Sequence, residues 1–63
     1  MTLIHKAEHG ILNECVEPAV AHIHFRNEAG MRQFIADNRQ YIRTVIERWS
    51  VDWEPMLTVT AAR

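Results

Sequence analysis

Apolar residues between Asn27 and Trp49 recur at spacings of three and four, as they do on one face of an α-helix. The positions are Met31, Phe34, Ile35, Tyr41, Ile42, Val45, Ile46 and Trp49. The pattern predicts one long helix over residues 28–49, roughly 33 Å long at 1.5 Å per residue. Asn27 is placed to cap its first turn, and Glu28 lies where the helix dipole favours an acidic side chain.

Two segments that flank this helix alternate instead with a period of two, which is typical of strands. Residues 19–25 put Ala21, Ile23 and Phe25 on one side, and residues 56–61 contain the strand-favouring run Thr-Val-Thr. The sequence therefore predicts an α+β fold, in which a small sheet of residues 19–25 and 56–61 packs on helix 28–49. A strand, a returning helix and a second strand would make the two strands parallel. An all-α helical oligomer with a loose C-terminal tail is the alternative.

The N-terminal element, residues 2–16, is ambiguous between a helix and a hairpin. Ile4, Ala7, Ile11 and Cys15 share one face of a helix, which favours the helical interpretation. Gly10 opposes it, because glycine inside a helix costs about 1 kcal/mol, and a break near this residue would separate two shorter pieces.

The chain is small for so wide an apolar face. Its 63 residues form a single domain, 1–63, of a size that is marginally stable alone. Two short strands reach only about 20 Å and leave part of the predicted helix uncovered, so we expect a homo-oligomer, with a dimer favoured. The predicted contact residues are Met31, Phe34, Ile35, Asn38, Ile42, Val45, Trp49 and Trp53.

Asn38 interrupts the apolar seam of the predicted helix. A lone asparagine in such a seam can fix the register of paired helices. In the alternative interpretation this face packs on its own sheet, and Asn38 bonds to a nearby backbone group.

Four arginines lie along or just before the predicted helix, namely Arg26, Arg32, Arg39 and Arg43. Guanidinium groups match phosphates and carboxylates, so these residues are candidate contacts for a nucleic acid or an acidic partner. A nucleic-acid-associated regulator that doubles this stripe in a dimer is the second function hypothesis. The net charge of −1 and the lack of any nucleic-acid-binding motif weigh against it.

Histidine and cysteine side chains provide a weak third hypothesis, a small metal-stabilised module. The candidate ligands are His5, His9, Cys15, His22 and His24, but the paired cysteines of recognisable zinc sites are absent from the sequence. We therefore predict no metal and no cofactor.

No catalytic motif is visible, and a chain of this length has little room for a substrate pocket. The sequence predicts a non-enzymatic protein–protein interaction module, such as a small regulator, inhibitor or adaptor, that self-associates through helix 28–49. Short chains of this kind are common among accessory proteins of phages and mobile elements. A single cysteine and the lack of a long apolar run favour a cytoplasmic protein that does not span a membrane.

Overall fold

The computed structural model describes residues 1–62 as a four-stranded antiparallel sheet with one α-helix packed on one face. The strands are β1 (Ile11–Val16), β2 (Val20–Phe25), β3 (Ile42–Trp49) and β4 (Pro55–Ala61), the helix is α1 (Glu28–Asp37), and single 3₁₀ turns span Ala7–His9 and Arg39–Tyr41. The order across the sheet is β1-β2-β4-β3. The predicted α+β class and both predicted strands are confirmed, whereas the all-α alternative is wrong.

The long helix predicted over residues 28–49 is wrong in its second half. Asn27 caps α1 as expected, since its side chain accepts a hydrogen bond from the backbone N–H of Gly30. The helix ends at Asp37, and residues 42–49 form β3, which pairs with β4. The segment Ile-Arg-Thr-Val-Ile-Glu-Arg-Trp is rich in β-branched residues that favour strands, and pairing with β4 decides between the two periodicities.

The strand directions and the N-terminal element also differ from the expectation. β2 and β4 are antiparallel rather than parallel, because β3 intervenes between α1 and β4 and reverses the chain once more. Residues 11–16 form a strand, so the favoured helix over residues 2–16 is wrong. Gly10 does break the segment, and its φ of 64° is a left-handed conformation that suits glycine.

The core lies between α1 and the two central strands. Its fully buried apolar side chains are Ala21, Ile23, Phe25, Met31, Phe34, Leu57 and Val59. The rings of Phe25 and Phe34 meet edge to face at 5.3 Å. Both belong to a sequence pattern that places apolar residues on one side of β2 and one face of α1, so the burial follows from the periodicity of each element.

The N-terminal segment, residues 1–10, packs against the flank of α1 that lies away from β3. The buried amide of Asn38 bonds to the backbone N–H and carbonyl of Ile4 and to the Phe34 carbonyl. The buried ring of His9 bonds to Asp37 at 2.8 Å, and Lys6 lies 3.3 Å from the same carboxylate. Asn38 is therefore a backbone anchor, as the alternative interpretation held, and does not set the register of paired helices.

Gly30 allows this segment to approach the helix closely. A Cβ at this position would lie 2.1 Å from the carbonyl oxygen of His9. Because the obstructing atom belongs to the backbone, no side-chain rotation can relieve the overlap.

We expect Gly30→Ala to lower the free energy of unfolding by about 1–3 kcal/mol, although alanine normally stabilises a helix relative to glycine. The comparison is Ala29→Gly at the exposed neighbouring position, where the loss comes only from helix propensity and is about 1 kcal/mol or less. Urea unfolding of both variants measures the difference. A Gly30→Ala protein as stable as the wild type would contradict the close packing of residues 1–10 on α1.

The carboxylate of Asp37 should make the free energy of unfolding depend on pH in the acid range. Its hydrogen bond with His9, aided by Gln33 and Lys6, holds the pKa of this carboxyl below its usual value of 3.8, although burial opposes the shift. Ionised Asp37 therefore stabilises the fold above the unfolded-state pKa, and this contribution is lost as pH falls through the lower folded-state pKa.

We expect Asp37→Asn to be less stable than the wild type near neutral pH, and the gap to close between about pH 5 and about pH 2. Glu8→Gln is the control, since Glu8 is exposed and has no hydrogen bond or ion pair among residues 1–62. Urea midpoints across this range measure both gaps. A gap for Asp37→Asn that stays constant with pH argues against the folded-state ionisation.

Candidate functional site

A groove separates α1 from β3, because the helix packs over β2 and β4 and leaves β3 beside it. Its volume is about 510 Å³, which lies within the range of ligand-binding pockets. It is lined by Arg32, Ile35, Ala36, Arg39, Ile42, Arg43 and Val45. Aliphatic side chains thus share one concave surface with three guanidinium groups.

The three arginines of the groove differ in their partners. Arg32 bonds to Glu28 on its own helix and to Glu47 on β3, with a shortest N–O distance of 2.6 Å to Glu47. The bonds to Glu47 and Glu28 raise the pKa of Arg32 above its ordinary value, so this group stays charged. Arg39 and Arg43 have no carboxylate within ion-pair distance among residues 1–62.

β3 itself is an edge strand of eight residues whose outer side pairs with no strand of the described chain. Long uncovered edges invite pairing with another chain, and proteins usually shield them. The opposite edge, β1, is shielded in this way: it is shorter, carries an irregularity between Ile11 and Asn13, and is followed by Glu17 and Pro18. β3 has a comparable irregularity at the same place, near its start between Ile42 and Thr44, and it carries charged residues, so it differs from β1 chiefly in its greater length.

Exposed apolar side chains concentrate on β3 and the turn that follows it. They are Val45, Ile46, Trp49, Val51 and Trp53, and together with Leu12, Val16 and Met56 they account for the exposed large apolar residues of the described chain. Trp53 is 79% exposed and adopts a φ of 61°, a conformation that is uncommon for a bulky residue. Its indole therefore stands free of the core.

The face of the sheet opposite α1 is also uncovered. It carries alternate residues of every strand, including Cys15, His22, Thr58 and Ile46. A shallow depression of about 220 Å³ lies there, in which His22 Nδ1 is 3.1 Å from the Thr58 hydroxyl. Polar side chains such as His22, Thr58 and Arg48 interrupt its apolar lining, so it provides a weaker basis for association than β3.

Three of the candidate metal ligands each pair with a different carboxylate and not with one another. His5 bonds to Glu14 at 2.7 Å, His9 is buried against Asp37, and His24 Nε2 lies 2.9 Å from Glu54 without hydrogen-bond geometry. Within residues 1–62, no three His, Cys, Asp or Glu side chains converge in a way that would hold a metal ion. His5 and His9 do not lie on a common helix, because residues 2–6 are not helical.

The structure separates the eight residues that were predicted to mediate self-association. Met31, Phe34 and Asn38 are fully buried in the single chain and cannot contact a partner. Ile35 and Ile42 are partly buried against the core, whereas Val45, Trp49 and Trp53 are exposed.

The arginine stripe is likewise divided. Arg32, Arg39 and Arg43 meet at the groove, but Arg26 lies at the end of β2, where its backbone N–H donates to Gly10. Sequence reasoning missed Ile46 as an exposed residue of the edge, and only the strand interpretation of residues 42–49 could have identified it.

No protein-family model matches the chain, and neither a curated protein nor a solved structure matches it. In the described range 1–62, no helix has both the length and the apolar character needed to cross a bilayer. The chemistry of the groove and of the β3 edge is therefore the basis for a functional assignment.

Proposed function

We propose that the protein is a non-enzymatic protein–protein interaction module that forms a homodimer by antiparallel pairing of β3 with β3 of a second copy. The observation that carries the proposal is the uncovered eight-residue edge with its exposed apolar side chains. Edge pairing supplies backbone hydrogen bonds to both copies and extends the sheet from four strands to eight.

One register of this pairing places oppositely charged side chains across from each other. A two-fold axis normal to the sheet and midway between the two β3 strands at Val45 places Val45 opposite its own symmetry copy. Residues whose numbers sum to ninety then face each other, so Arg43 of each copy lies opposite Glu47 of the other. Both side chains belong to the helix side of the sheet, since Arg43 lines the groove and Glu47 bonds to Arg32. Opposite charges directly across a strand pair are stabilising.

The remaining pairs in this register place no like charges opposite one another. Thr44 faces Ile46 of the second copy, and Ile42 lies beyond the irregularity of β3, where the simple register ends. Backbone bonds contribute only about 1 kcal/mol each in net terms, so burial of Val45, Ile46 and Trp49 must supply much of the association energy. This proposal moves the expected self-association from helix 28–49 to β3.

A cytoplasmic location is part of the same proposal. Cys15 is the one cysteine of the chain, and its thiol is free and exposed. An exposed free thiol suits a reducing compartment.

We expect Val45→Lys to give a monomer, because it sets two ammonium groups against each other at the two-fold axis and leaves them little room to separate. The matched control is Val51→Lys, which adds the same charge in the turn after β3, where the side chain is 94% exposed. Light scattering should find dimers for the wild type and the control, and monomers for Val45→Lys. Circular dichroism checks that both variants are folded.

A wild-type protein that is monomeric at high concentration would overturn the proposal. So would a dimer that survives Val45→Lys intact, since that result would place the contact elsewhere.

A further inference from the structure

Two positive charges in the groove lack a counter-charge while sharing it with apolar side chains. Arg39 and Arg43 have no carboxylate partner within residues 1–62, and they line the same surface as Ile35, Ile42 and Val45. Exposed arginines need no partner, but guanidinium groups that border a concave apolar surface match ligands that carry both a carboxylate and an apolar group.

We propose that this groove binds a short acidic–apolar peptide segment of a partner protein. A leucine-like side chain of the segment would lie between α1 and β3, on Ile35 and Ile42, and a flanking carboxylate would bond to Arg39. Arg43 would bond to a second carboxylate in the monomer, whereas in the proposed dimer Glu47 of the second copy faces it. Arg32 takes a smaller part, because Glu28 and Glu47 already engage its guanidinium group.

The surroundings of the groove favour such a peptide over a nucleic acid. A phosphate backbone would leave the aliphatic floor without a matching group, and it would pass the carboxylates of Glu28 and Glu47 at the Arg32 end. A peptide can place its carboxylates only at the Arg39 end and avoid this repulsion. The net charge of −1 also gives little general attraction for a polyanion.

Peptide binding and dimerisation use different sides of β3. A second copy would add a strand in the plane of the sheet, whereas the groove lies above β3, on the side of α1. The groove is complete within one chain, so this inference does not require the dimer. Arg39 is outside β3, which makes it the residue whose replacement tests the groove without altering the edge.

The test measures binding of a fluorescein-labelled peptide with leucine residues at one end and glutamate residues at the other to the wild type and to two charge-reversal variants. We expect Arg39→Glu to weaken binding about tenfold, the equivalent of about 1.4 kcal/mol. Arg26→Glu, an exposed reversal remote from the groove, should change it by less than about twofold. A peptide with lysine in place of glutamate should bind Arg39→Glu better than the wild type, and this reversal of preference excludes simple unfolding.

Two further ligands decide which chemistry the groove recognises. A peptide with serine in place of leucine should bind more weakly, because it cannot use the apolar floor. A single-stranded oligothymidylate of similar charge should fail to displace the leucine peptide.

Equal effects of Arg39→Glu and Arg26→Glu, equal binding of the serine peptide, or displacement by the oligonucleotide would each overturn the proposal. Light scattering of the same samples reports the oligomeric state separately. A monomer that still binds the peptide would reject the dimer alone, and a dimer that does not bind it would reject the groove alone.

Discussion

A single ten-residue helix is too narrow to cover a four-stranded sheet, and the surface properties of this protein follow from that limit. α1 is about 15 Å long, and four strands span roughly 14–19 Å across the sheet. The helix lies over β2 and β4, where it buries Phe34 against Phe25. β3 and the opposite face of the sheet therefore remain uncovered, and the groove is the gap between the helix and the strand that it does not reach.

The two flanks of α1 differ in what covers them. On one side, residues 1–10 close against α1, with Gly30 permitting the approach and Asn38 satisfying the backbone of Ile4. The rings of His5 and His9 both pack edge-on to Phe34, which places aromatic contacts as well as hydrogen bonds along this seam. On the β3 side no equivalent segment of the described chain is present. The asymmetry leaves β3 as the uncovered side of the helix–sheet layer in the described chain.

The periodicity of the sequence predicts those elements whose pattern is unambiguous. Ala21, Ile23 and Phe25 alternate cleanly, so β2 was identified with the correct inward face. Residues 42–49 contain the adjacent pair Val45 and Ile46, which fits a helical face and both sides of a strand equally well. Only pairing with β4, the next strand along the chain, resolves the choice.

The sequence predicts the arginines of the candidate site but not the cleft in which they lie. Arg32, Arg39 and Arg43 were recognised as a stripe that could bind an anion, and the structure brings these three together at the groove. Their apolar neighbours Ile42 and Val45 were expected to lie on the same helix. They instead reach the groove from a strand, which turns a continuous helical face into a cleft between two elements. The partners of buried polar side chains, such as Asp37 for His9, depend on contacts between residues far apart in sequence and leave no local signal.

Glu47 connects the two proposed surfaces. Through Arg32 it links α1 to β3, and an exposed ion pair of this kind contributes little to stability. It does, however, neutralise Arg32 at one end of the groove and so leaves Arg39 as the charged group at the other end. In the proposed register the same carboxylate also faces Arg43 of the second copy. One carboxylate would then lie between two guanidinium groups where the groove meets the edge, so a change at Glu47 would alter the charge of both proposed surfaces.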